Sequence, residues 1–275
     1  MISKTSITRL VAATLISAGI LHAEKPASPV IVDDVAVSGS DLIQKKPEPT
    51  PAKSAVAEPV KPSLIKLDDT RYQIGEVILN RQNREIRFPA KASMIQGLVE
   101  YILVLEKGKV HEALLTTGIS PTHLNLAFNL LGYLPSIELF STIDETGHMS
   151  GIYPNVAAAV KMSARIAIEI EWSDHGSTHR VPINTWLQIK GEGKTMAAGP
   201  WLYSGSAIAE NKFIPEITGD LAAIMVDSRA MINYPGADNQ DQIVWYPLES
   251  QMPAVGTNLT VIISPFNAAK TIPKP

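Results

Sequence analysis

The chain has 275 residues, 45% hydrophobic and 19% charged, which is ordinary globular composition. Its formal charge of -3, with no dense Lys/Arg cluster, lacks the footprint of a nucleic-acid binder and of a surface built for anionic lipid. It has no cysteine, which excludes disulfides, thiolate zinc sites, thiol catalysis and cysteine-held iron–sulfur clusters; no cofactor is predicted.

The N-terminus places Lys4 and Arg9 before an apolar run, Leu10 to Leu21, that ends in Leu21-His22-Ala23. This pattern predicts a secretory signal over 1–23, cleaved after Ala23. An uncleaved anchor is the alternative, but the run is shorter than the roughly 18 apolar residues of a spanning helix. No transmembrane span is expected after cleavage, and the location expected is periplasmic or secreted. Residues 24–63 carry Pro26, Pro29, Pro47, Pro49, Pro51, Pro59 and Pro62. Proline removes donors and restricts its predecessor, so this stretch reads as a disordered, extended linker. A folded domain is expected over 64–267, with a tail over 268–275.

Within that domain, Gln73 to Leu79 and Glu85 to Phe88 flank Asn80-Arg81-Gln82-Asn83-Arg84, which suits a hairpin loop. Pro89 then interrupts, and Ala90 to Met94 resumes an extended segment. Val99 to Leu105 (VEYILVL) is rich in strand formers and lies between Gly97 and Gly108. Lys107-Gly108 reads as a two-residue hairpin turn, with glycine supplying positive φ. Glu106 would then face Lys109 and Val104 would face His111. Both faces of such a hairpin are apolar, with His111 on one and Glu112 on the other, so Glu112 is expected to be buried and to need a donor or a proton.

Ser120-Pro121-Thr122-His123 opens a helix: Ser120 is the N-cap, Pro121 the first helical residue, and Gly132 follows the last turn. Leu124, Ala127, Phe128 and Leu131 make its apolar stripe. The run HEALLTTGISPTHLNLAFNLLGY (111–133) resembles the YdjY-domain family of exported bacterial proteins. GPWLYSGS (199–206), GDLAAIMVDSRAMINYP (219–235) and VGTNLTVIISP (255–265) follow in the family's order, so the similarity covers about 74 to 265. It implies export and domain boundaries and supplies no chemistry, the family's role being unassigned. The segment Leu134 to Lys161 departs from the family by being longer and richer in Gly, Ser and Thr.

Further on, Ala164 to Trp172 alternates clearly, Asp174-His175-Gly176 turns the chain, and His179 to Ile183 returns. Gly199 to Ser206, Leu221 to Val226 and Asn258 to Ile263 complete the strand set, and Ser228 to Asn233 reads as a helical turn. The expected fold is a strand-dominated α+β single domain, a sandwich or partly open barrel, with one main helix near 120–132.

The candidate constellation is His111, Glu112 and His123. Glu112 is the best candidate for catalysis, and His111 and His123 are the candidate metal ligands. The spacing matches no metal signature, and adjacent strand residues point to opposite faces. Satisfied structural residues are therefore the plainer reading. Trp201 and Tyr203 could line a groove or pack in the core. Asp227, at a strand end with Asn233 close by, could serve a ligand or cap the following turn. The loop serines and GEGK (191–194) match neither a nucleophile elbow nor a phosphate loop. These features predict an exported, non-catalytic binding module of the cell envelope, its partner an envelope protein or a small ligand. The alternative is a metal-assisted or acid/base enzyme built on Glu112, His111 and His123.

Overall fold

The computed structural model describes residues 63–268, except 191, 193, 237, 242 and 243. The expected signal at 1–23 and nearly all of the linker and tail lie outside the described residues. The strands are β1 (Leu64–Lys66), β2 (Arg71–Ile74), β3 (Val77–Asn80), β4 (Glu85–Ala92), β5 (Tyr101–Leu105), β6 (Ala113–Thr117), β7 (Arg165–Asp174), β8 (Ser177–Pro182), β9 (Leu187–Ile189), β10 (Lys194–Thr195), β11 (Trp201–Tyr203), β12 (Ile208–Ala209), β13 (Lys212–Phe213), β14 (Asp220–Ala223), β15 (Ile232–Asn233), β16 (Trp245–Pro247) and β17 (Asn258–Pro265). The helices are α1 (Pro121–Leu130), α2 (Ala158–Ala164) and α3 (Ile214–Thr218).

The main sheet runs β4-β17-β7-β11-β15-β14-β5-β6 and returns to β4 through Lys91↔Thr116 and Ala92↔Leu115. That pairing closes an eight-stranded mixed barrel, so the sheet is neither a sandwich nor open. Closure removes free edges within the ring. β3, β2 and β1 extend from β4 as an outer flap, and β8 pairs with the outer part of β7. β9, β10 and β16 form a separate three-stranded sheet, and β12 with β13 a ribbon. Strand dominance with few helices matches the sequence expectation.

Where the pattern is periodic, the expectation holds. β7 alternates half-buried and buried residues from Arg165 to Ile170, and Ile166, Ile168 and Ile170 point into the core. β3 and β4 pair through Asn80↔Glu85, as the hairpin loop required. β4 runs through Pro89 instead of stopping there; the Pro89 carbonyl accepts from Thr117 Oγ1 at 2.7 Å. α1 begins where expected: Ser120 Oγ accepts from the His123 N–H, and Leu124, Ala127 and Phe128 are buried. Gly132 follows it at φ 72°, a conformation that costs glycine nothing.

Two expectations are corrected. The first is the hairpin at Lys107-Gly108. β5 and β6 are parallel, with Tyr101↔Ala113 and Leu105↔Thr117 in register, and Gly108 has no positive φ. The connection turns at 106–108, then makes a short 3-10 turn over Val110–Glu112 that returns the chain to the start of β5. Both strands are buried at every position, so periodicity does not report direction. The second is the helical turn at Ser228–Asn233, whose end is instead the short strand β15, paired parallel to β14.

Candidate functional site

β14 lies antiparallel to β5, but its register shifts on both sides of Ala222: Asp220↔Val104, Ala222↔Leu103, Ala223↔Tyr101. Such an irregularity breaks alternation and re-aims side chains. Tyr101, Val104, Ala113, Ala223 and Ala230 accordingly form a small cluster apart from the main core. Around it the connections at 106–112 and 225–231 gather a polar network.

Lys109 drops from the first connection onto the Tyr101 ring, Nζ 4.2 Å from the centroid, and donates to the Tyr101 hydroxyl. Its Nζ is also 3.4 Å from Oδ1 of Asp220, a side chain with no exposure at all. Tyr101 donates to Asp227 Oδ2 at 2.9 Å. Arg229 grips the same carboxylate with its Nε at 3.0 Å and a terminal nitrogen at 2.8 Å, and its backbone N–H adds a third bond at 2.9 Å. Asn233 Oδ1 accepts from the Asp227 N–H, and Asn233 Nδ2 donates to Ser204 Oγ, each at 2.8 Å. Asp227 therefore caps its turn, the plainer of the two sequence readings.

The electrostatics follow from this packing. Burial pushes the Tyr101 hydroxyl far above its usual range, and the charges of Asp227 and Asp220 push it further. Burial alone would raise Asp227, but the bonds from Arg229 and Tyr101 outweigh it and hold the carboxyl below the ordinary range. Glu100, one residue before Tyr101, is raised by burial and then by the charge of Glu112, with Lys109 and His111 opposing.

His111 and Glu112 occupy the 3-10 turn beside this network, with His111 Nε2 3.9 Å from Glu112 Oε2. The His111 side chain is 80% exposed and that of Glu112 22% exposed, so Glu112 is not the sunken carboxylate the hairpin implied. His123 does not join them. It follows β6 whereas they precede it, so five strand residues, roughly 16 Å of chain, lie between. Its imidazole instead rests against Gly75, in the turn between β2 and β3. Among the described residues no group of three or more His, Asp or Glu is placed to hold a metal ion.

Trp201 and Tyr203 are sealed in the core: the Trp201 indole donates to Asn184 Oδ1 at 3.1 Å, while Tyr203 stacks on Phe128 and donates to Asn125 Oδ1 at 2.6 Å. The N-terminus of α1 has an internal anion. Glu216, from α3, accepts from Ser120 Oγ at 2.6 Å and from the Thr122 N–H at 3.0 Å. Sequence reasoning named His111 and Glu112 together with His123, named Asp227 apart from them, and missed Glu100, Tyr101, Lys109, Asp220 and Arg229. The available signal was the pair of charges, Lys109 and Asp220, bordering apolar strands that bury them.

Among the clefts that the described residues form elsewhere, one of about 600 Å³ is lined by Glu85, Glu169 and Arg180, and Arg180 pairs with both carboxylates. Another of about 550 Å³ lies between the β7–β8 hairpin and the 250–257 segment and contains Trp172 and His179. Comparison with protein-family models, curated proteins and solved structures finds no match.

Proposed function

We propose that this chain is an exported, non-catalytic binding module of the cell envelope, similar to the YdjY-domain proteins and held at the end of a proline-rich spacer. The observation that supports a non-catalytic role is the saturation of Asp227. Its two oxygens meet Arg229 and Tyr101, and its N–H meets Asn233, so its bonds hold the 225–231 loop to the barrel rather than facing a reactant. The signal, the spacer and the periplasmic or secreted location belong to the same proposal. N-terminal sequencing of protein taken from a periplasmic extract is expected to begin at Glu24; a chain retained with Met1 would replace the cleaved signal with the uncleaved anchor, and absence of the protein from the extract would remove the export reading.

An acid/base enzyme at Glu112 is the second reading. It draws support from the nearness of His111 to Glu112 and from Glu100, which burial and then the charge of Glu112 raise. His123 drops out of that reading on position. Incubation with isolated envelope fractions separates the two. Co-sedimentation with no mass change in the bound material is expected. Turnover that disappears in a Glu112→Gln protein of unchanged Tm would replace binding with catalysis.

A further inference from the structure

We infer that the cleft between the β7–β8 hairpin and the 250–257 segment is a binding site for neutral oligosaccharide, a ligand class for the binding role proposed above and dependent on it. Trp172 and His179 are directly opposed on β7 and β8 and stack with ring centroids 4.9 Å apart and planes inclined by 18°. Trp186 braces Trp172 from the core, edge-on, at 5.5 Å. The result is a partly exposed aromatic platform on a strand pair, held by stacking and by the buried Trp186, which lowers the ordering cost of binding. The negative face of such rings attracts the weakly positive C–H face of a pyranose.

The polar groups at the rim narrow the choice. Asp174, 59% exposed, supplies a carboxylate, whose Oδ1 lies 3.5 Å from Nε2 of the exposed His175. Gln251 contributes an amide from the opposite wall, beside Met252 and Pro253. Sugar hydroxyls both donate and accept, so they satisfy a carboxylate and an amide together. Among the described residues no Lys or Arg lines the cleft, which disfavours phosphate and carboxylate ligands. A quaternary ammonium needs aromatic walls on several sides, and this cleft offers one stacked pair. A proline-rich peptide presents carbonyl acceptors and few N–H donors, which the Asp174 carboxylate cannot meet.

Calorimetric titration of the full chain with cellotetraose and chitotetraose tests the site. Saturable binding to at least one is expected. Asp174→Ala, Gln251→Ala and Trp172→Phe should each weaken it about tenfold. The first two are exposed, Asp174 at the end of β7 and Gln251 in the 3-10 turn over 249–251, and they keep the Trp172–Trp186 contact, so they test the site without threatening the core. No saturable heat with either sugar overturns the inference. So does binding unchanged in all three variants, or tighter binding of a deca-proline peptide. If envelope co-sedimentation persists while both sugars are silent, only the oligosaccharide site falls. If co-sedimentation is also absent, the binding reading falls with it.

Discussion

Asp227 keeps a charge where its side chain is only 8% exposed, because Arg229 and Tyr101 meet both oxygens. Asp227→Asn is expected to cost about 2 kcal/mol in chemical denaturation near neutral pH. The sign with pH is fixed by the depressed folded value. The stabilisation is complete above the unfolded pKa of about 4 and is lost as pH falls through the folded pKa. Wild type and Asp227→Asn should therefore converge in stability on acidification; a constant gap down to pH 2 would contradict the assignment. Gly75 offers a second test. Its φ of 56° suits glycine, and a Cβ there would run into the His123 ring. Gly75→Ala should lower Tm, and His123→Ala should recover the steric part but not the backbone part, leaving a coupling above about 0.5 kcal/mol in a double-mutant cycle. Asp227 was named in sequence as a strand-end carboxylate, but β14 ends at Ala223 and Asp227 lies in the loop beyond it. Lys109 was not, since a lysine after a glycine looks like any solvated turn until its partner Asp220, more than a hundred positions away, is known to lie beneath it.

At the scale of elements, legibility tracked local chemistry. α1 announced itself through Ser120, Pro121 and Gly132, all acting within a turn of the helix ends. β7 announced itself through alternation. β5 and β6 did not announce their relation, because two wholly apolar strands satisfy parallel and antiparallel ladders alike. The direction is decided by the connection between them, and Lys109 pins that connection to the barrel by stacking on Tyr101 and pairing with Asp220. Lys109→Met would leave a fully buried carboxylate unpaired, at a cost of about 3 kcal/mol. Adding Asp220→Asn should restore much of the loss at neutral pH. An unaltered urea midpoint for Lys109→Met would show that the connection needs no such anchor.

For the whole molecule, strand content was legible and closure was not. The seam between β4 and β6 uses two residue pairs at the far end of an eight-residue strand, and no local pattern marks it. Nor does sequence reveal that β17 lies between β4 and β7, with Val261 opposite both Phe88 and Ile170. Ending the chain after Thr257 would remove that strand and open the ring. The expected outcome is loss of the cooperative thermal transition and of dispersed amide resonances; retention of either would mean that the ring tolerates a gap.

The position of β17 also governs timing. The stave that locks the cylinder follows the other seven staves in chain order, so the ring cannot be completed before residues 258–265 have been synthesised.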